Sequence, residues 1–428
     1  MALLINKMEN HDAYAALRIK NFRFYLTARF FITVALQMQA VVVGWQVYEI
    51  TKDPFSLGLI GLSEAIPYIG MALFGGYFAD KYNRKAIILT SAGIFFICGV
   101  LLYLFTTGLS NMLLIYGTLP IYIVIAVSGF ARSFIYPSQT ALMAQLVPKE
   151  LYTNSSTWNS TTWHIAAVSG PAIGGLVYGF FGVSNAYLSV TTSVIIGFIG
   201  FSLIRNNHIK TFESGAESFF RSLSGGLRFV KNNQIILGAM SLDMLAVLFG
   251  GATAMLPVFA AEILHVGPQG LGFLRAAPAA GAVIMAIFLA YHPPIYRSGK
   301  KLLISVAGFG LCIILFAISR NFYLSLFILF MSGMLDNISV IIRHTIMQIY
   351  TPDHMRGRVA AVNSIFIGSS NEIGSFESGL AARLMGLIPS VIFGGSMTLI
   401  ITGITTKIAP ILRNMNLKDK LYENTHHK

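Results

Sequence analysis

The chain has 428 residues, 55% of them hydrophobic and 11% charged, with a formal net charge of +13. Globular chains carry about 25% charged residues, so a single water-soluble body is excluded. The mean hydropathy of +0.68 points to a chain that faces lipid or itself along most of its length.

A membrane crossing takes about 20 apolar residues. Twelve runs of that order are legible, at roughly 24–50, 57–79, 86–107, 113–136, 157–181, 184–204, 234–262, 270–291, 302–319, 322–342, 358–386 and 388–406. The first is too long for the apolar core of a signal peptide and lacks a small-residue cleavage site, so it reads as a span. It carries Arg29 near one end and Gln37 and Gln39 midway. Span 2 carries Glu64 and Tyr68. A short charged hairpin, Gly76-Tyr-Phe-Ala-Asp80-Lys81-Tyr-Asn83-Arg84-Lys85, joins spans 2 and 3. Span 4 carries Arg132.

Span 5 carries Trp163, His164 and then Gly170-Pro171-Ala-Ile-Gly174-Gly175. Small residues let helices approach closely, and Pro171 frees a carbonyl and can bend the helix. The stretch 205–233 is the longest polar interval between spans. Phe219, Phe220, Leu223, Leu227 and Val230 alternate there with Arg221, Arg228 and Lys231. That spacing predicts a short amphipathic helix, either on the inner leaflet or as a solvated linker. Asp243 falls in span 7, Arg275 in span 8 and Asp336 in span 10; Asn371, Glu372 and Glu377 fall in span 11. Cys98 and Cys312 lie inside apolar runs and read as packing residues.

The basic residues orient this string. Of the 30 Lys and Arg, only Lys52, Arg320 and Arg383 fall on the side opposite the termini, and Arg29, Arg132 and Arg275 fall within spans. Short loops with that bias place both termini in the cytoplasm. Orientation accounts for the +13, and a nucleic-acid partner is set aside.

The two halves repeat. Gly61, Glu64, Ala65, Pro67 and Gly70 align with Gly272, Arg275, Ala276, Pro278 and Gly281. Pro148, Asn159, Ser160, Gly170, Gly175 and Gly182 align with Pro352, Asn363, Ser364, Gly374, Gly379 and Gly386, and Arg132 and Asp336 share that second spacing. The hairpin returns weakly as Arg297-Ser-Gly-Lys-Lys301, without the Asp and behind Pro293 and Pro294. The predicted organisation is a six-helix bundle at 1–204, a cytoplasmic linker at 205–233 and a second bundle at 234–428.

The pattern Gly-x-x-x-Asp-Lys-x-x-Arg-Lys resembles the loop 2–3 signature of the major facilitator superfamily, and Gly170–Gly175 resembles the Gly-Pro-x-x-Gly-Gly of its exporters and antiporters. Leu17-Arg-Ile-Lys-Asn21-Phe-Arg23 and Gly44-Trp-Gln-Val-Tyr48-Glu-Ile-Thr51 are similar to the subgroup of bacterial enterobactin exporters and macrolide-efflux proteins. The resemblance implies an all-α membrane protein of twelve transmembrane helices in two pseudo-symmetric six-helix bundles, whose halves rock about a midplane site. It implies a cytoplasmic gate formed by Gly76, Asp80, Lys81, Arg84 and Lys85 against the other half. Asn83 stands where the family has Gly, and Asn tolerates left-handed backbone. Gly170, Pro171, Gly174 and Gly175 form the antiporter motif; ordinary small-residue packing is the plainer alternative.

Polar side chains at membrane depth are costly and tend to be functional. The proton-coupling candidates are Asp243, Glu372, Glu377, Glu64 and His164. Asp243 and Glu372 lead, because their neighbours in sequence are mostly apolar or small and an unpaired carboxylate there takes up a proton more readily. Glu64 is alternatively a static partner of Arg275, His164 a hydrogen-bonded helix histidine, and Arg132 a structural pairing residue. The solute-cavity candidates are Gln37, Gln39, Tyr68, Arg132, Trp163, Arg275, Asp336 and Asn371. Glu49 and Glu262, near the outer ends, are expected to be solvated. No GxxxxGK[ST] loop, catalytic triad or metal cluster is legible. The expectation is therefore a cofactor-free, metal-free, non-enzymatic monomer in a bacterial inner membrane. Its partners would be protons, lipid and a small solute, a siderophore or a drug, which it exports. An uptake permease of the same fold, and a non-transporting membrane sensor or lipid-handling protein, remain the alternatives.

Overall fold

The computed structural model describes residues 12, 14–107, 109–205, 219–352 and 355–418. Its helices are α1 (Lys20–Thr51), α2 (Pro54–Lys81), α3 (Arg84–Thr106), the short α4 (Met112–Tyr116), α5 (Leu119–Leu146), α6 (Tyr152–Ser202), α7 (Phe219–Asn232), α8 (Gln234–Phe249), α9 (Gly267–Tyr291), α10 (Ser298–Ile318), α11 (Phe322–Tyr350), α12 (Arg356–Met385) and α13 (Leu387–Ile408). A broken helical segment through Ile263 continues α8. Among the described residues 9 helices are long and apolar enough to cross a membrane. One of them, α6, turns a corner and serves two crossings, and α2 and α12, of 28 and 30 residues, run in the same bundle. The expected spans thus fall on helical segments, those at 113–136 and 234–262 broken, and no strand occurs among the described residues.

The corner in α6 is Gly182, with φ 83° and ψ 171°; Gly386, between α12 and α13, has φ 91° and ψ 159°. Only glycine enters that region without strain. These two glycines are partners in the sequence repeat, so the duplication extends to backbone shape. Helix packing repeats as well. Gly129 of α5 abuts the backbone of Glu64 on α2, and its repeat partner Gly333 of α11 abuts that of Pro278 on α9.

Three expectations change. Span 4 does not run over 113–136. Gly117, at φ 59°, separates α4 from α5, which continues to Leu146. Span 10 likewise runs past 342 to Tyr350 and takes Arg343 inside the helix. Polar residues suggested earlier ends, but tertiary packing covers them: Ser138, Gln139 and Arg343 are all buried. Asn83 needs no left-handed backbone. It sits at φ −62° as the N-cap of α3, its side chain accepting from the Ala86 amide at 3.3 Å.

α1 packs along α6, α2 on α5, and α3 on both α5 and α6; α9 packs on α11, α10 on α11 and α13, and α12 on α8. These two helix groups meet where α2 touches α12 and where α6 touches α9. The predicted amphipathic helix forms as α7 and docks on α12 and α8. Val230 is buried and Gly226 lies against the Arg358 backbone, while Leu227 stays exposed. The side chains of Phe219, Phe220 and Leu223 lie outside the described residues.

Candidate functional site

A cavity of about 560 Å³ lies between the two helix groups, within the range of small-molecule sites. All eight expected solute-cavity residues line it: Gln37, Gln39, Tyr68, Arg132, Trp163, Arg275, Asp336 and Asn371. Glu64 and Glu372 line it too; Asp243, Glu377 and His164 do not.

Close helix packing sets its charges. Gly129 lets α5 approach α2 at Glu64, and Arg132, about one turn further along α5, forms an ion pair with Glu64. Arg132 Nη2 also donates to the Tyr136 hydroxyl at 3.3 Å, and its guanidinium lies 5.8 Å from that ring. Tyr136 escaped the sequence reading, although its position one turn after Arg132 is the legible signal. The alternative reading of Glu64, a static pair with Arg275, is not what the structure shows, because its ion-pair partner is Arg132. Arg275 Nη1 instead reaches across the groups and donates to the Ala40 carbonyl at 3.0 Å. Glu372 lies in the field of both Arg132 and Arg275. Two cations and two carboxylates, one of each sign from each helix group, therefore share one wall.

The other proton candidates stand elsewhere. Asp243 was favoured as an unpaired carboxylate, but it is ion-paired with Arg343, and both are buried. The apolar run of span 10 ends one residue before Arg343, so this pairing has no signal in the hydropathy pattern. Glu377 is half-buried and does not line the cavity. His164 stacks edge-on against Trp163, and its buried Nδ1 has no partner among the described residues. Arg29 Nη1 donates to the Tyr25 hydroxyl at 3.1 Å.

The described contacts between the groups cluster at the end of the bundle where α1 turns into α2. Gly58 and Gly61 of α2 lie against Phe376, Gly379 and Ser375 of α12. Gly175 of α6 lies against Pro268 and Gly272 of α9. Asp53 and Arg383 approach to 3.9 Å, and the Tyr48 hydroxyl donates to Glu262. Within one group, the Tyr178 hydroxyl donates to Glu49 at 2.6 Å. Glu49 and Glu262 are exposed as expected, yet each is held by a tyrosine. In the motif, Gly170 and Gly174 seat α6 on Gln37 and Met38 of α1 while Gly175 seats it on α9, so these glycines make contacts both within and between groups.

The charged hairpin sits at the opposite end and holds its own group. Lys81 donates to the Tyr77 hydroxyl at 3.2 Å, and Arg84 donates to the Ala79 and Ala141 carbonyls at 3.0 and 3.2 Å. Lys85 donates to the Ser202 and Ile204 carbonyls at 2.8 and 2.7 Å. The Asp80 side chain lies outside the described residues. The second hairpin turns differently, through Arg297 at φ 49°. The cavity is thus sealed at the α1–α2 end.

Tyr48→Phe removes the hydroxyl that ties α1 to Glu262. A hydrogen bond to a charged group contributes about 1.5–3 kcal/mol. A membrane-impermeant maleimide, added from the α1–α2 side, is expected to label Thr253→Cys in the cavity several-fold faster in Tyr48→Phe. Unchanged labelling would mean that the apolar seal suffices without the bond.

A model of the transmembrane secretion effector family matches residues 11–428. The enterobactin exporter EntS of Shigella dysenteriae serotype 1 (strain Sd197) is 26% identical over 381 residues, 89% of each chain. EntS of Escherichia coli O1:K1 / APEC gives the same values. Three solved structures share the fold at low identity. Nucleoside transporter NupG has a TM-score of 0.65, 15% identity and coverage of 92% of this chain and 98% of its own. A bacterial homologue of the human lysosomal transporter Spinster, inward-facing and unoccupied, has 0.67, 14%, 94% and 97%. The POT family transporter PepTSo has 0.69, 11%, 92% and 98%.

Proposed function

The chain belongs to the transmembrane secretion effector family of major facilitator transporters, and from that premise we propose that it exports a small molecule across a bacterial inner membrane by proton antiport with alternating access. The observation that carries this reading is the sealed-at-one-end cavity walled by Glu64, Arg132, Arg275 and Glu372 from two helix groups. A charged cavity at membrane depth, closed towards one side, suits a solute site that each side of the membrane reaches in turn. Orientation by basic residues puts the hairpin end in the cytoplasm, so the state described is inward-facing. The units that rock are residues 1–204 and 234–428, with 205–233 as a tether, and the transporter works as a monomer. In the outward-facing state the hairpin would exchange part of its own-group bonding for contacts with the other half. A siderophore or drug-like solute is the favoured cargo, in keeping with the exported compound named for the EntS relatives.

The test is proteoliposomes loaded with a pH-sensitive dye and challenged with a panel of siderophores and lipophilic drugs. Wild type is expected to move protons against at least one compound, and Glu372→Gln is expected to lose at least tenfold of that flux. Transport without proton movement sinks the antiport reading. Accumulation directed into the cytoplasmic face, measured by counterflow in inverted vesicles, replaces export with uptake.

A further inference from the structure

We propose that Asp336, backed by the Asp243–Arg343 pair, forms an exchangeable proton site in the second helix group, separate from the Glu64–Arg132–Arg275–Glu372 wall. The proposal borrows its use from the antiport reading, but its existence stands on charge and geometry.

Arg343 and Asp243 are ion-paired with side chains only 9% exposed. Asp336 precedes Arg343 by two helical turns on α11 and so lies on the same face. Asp336, Ser339 and Asp243 line a void of about 10 Å³, room for one water at most. Asp336 also lines the main cavity. It therefore stands at the neck between the solute space and the buried pair. Its carboxyl has no hydrogen-bond or ion-pair partner among the described residues, and it lies in the field of Arg343 and Asp243.

The charge count decides the chemistry. Two carboxylates and one guanidinium leave one uncompensated negative charge at membrane depth, which is expensive. One bound proton makes the group neutral. Because Arg343 is taken by Asp243, that proton belongs on Asp336, the carboxyl that cavity water reaches. Release is the simple step in which the Asp336 O–H bond breaks, the electron pair stays on the carboxylate and the proton passes to water. Among the described residues the charged groups around it are few. On α11 they are Arg343 and the adjacent His344, and α8 supplies Asp243. α10 offers only Val306 and Phe309 to the void. Arg275 of α9 and Glu372 of α12 share the larger cavity.

The experiment is infrared difference spectroscopy of the purified full chain in lipid, titrated with pH alone, so that the proton is the probe. Wild type is expected to show a protonated-carboxyl C=O band that bleaches as pH rises. Asp336→Asn is expected to lose one carboxyl's share of that band. Asp243→Asn is expected to lose the same share, because Arg343 then balances Asp336. Asp336→Glu, which preserves the acid, retains the band at a shifted frequency, and Glu372→Gln retains the Asp336 share. A band undiminished in Asp336→Asn overturns the proposal, and one undiminished in Asp243→Asn overturns its charge balance. If the band behaves as stated while no solute moves protons, the antiport reading falls and the proton site stands.

Discussion

Arg132→Leu is expected to abolish transport and to cost the fold several kcal/mol, and the two losses should separate. The substitution leaves Glu64 at membrane depth without its cation. Removing one partner of a buried pair costs about 3–5 kcal/mol, because the remaining charge is uncompensated. Cavity water reaches both side chains, which are 28% and 18% exposed, so the lower end of that range applies. Glu64→Gln in the same chain removes the stranded charge and is expected to recover most of the stability. Transport should not return, because Glu372 would still lack one of the two cations in whose field it sits. Thermal unfolding in detergent and proteoliposome flux, measured on the single and double variants, decide the matter. Recovery of both properties in the double variant would make Arg132 a structural residue.

The legible and illegible parts of this site divide by the range of the interaction. Gln37, Gln39, Tyr68 and Asn371 could be placed in the cavity because a polar side chain inside an apolar run has few other destinations. Pairing could not be read the same way. Spans 2 and 8 can lie close together, which makes a Glu64–Arg275 pair one alternative, but contact follows three-dimensional packing, and the Gly129 approach delivers Arg132 instead. Asp243 looked unpaired because only its sequence neighbours were visible; its partner lies 100 residues away on α11. Span ends differ from the apolar runs for a related reason. Apolar runs mark where lipid is met, whereas α5 and α11 continue past their apolar runs because other helices bury their polar ends. The corner glycines are the converse case, since the sequence repeat pairs Gly182 with Gly386 and their backbones share the same conformation.

Gly175→Val is expected to open the sealed end. A β-carbon at Gly175 would run into the Pro268 carbonyl and the Gly272 backbone of α9, atoms that cannot swing aside as a side chain tip can. Overpacking at such a contact costs about 1–3 kcal/mol. The penalty falls only on the state in which α6 and α9 touch there, so the balance between states moves by the whole of it. A shift of 1–3 kcal/mol is about 5–150-fold in population. Impermeant maleimide labelling of Gln37→Cys should therefore rise from the α1–α2 side and fall from the hairpin side, and solute flux should drop because the return step is impaired. Gly70→Ala is the control, because nothing lies within 4 Å of a β-carbon at that position, and Ala favours the helix by about 1 kcal/mol. It should leave both labelling rates unchanged. If Gly175→Val folds with wild-type thermal stability and labels like wild type from both sides, the α6–α9 contact does not govern the seal. The α2–α12 contact through Gly58, Gly61 and Gly379 would then have to hold it.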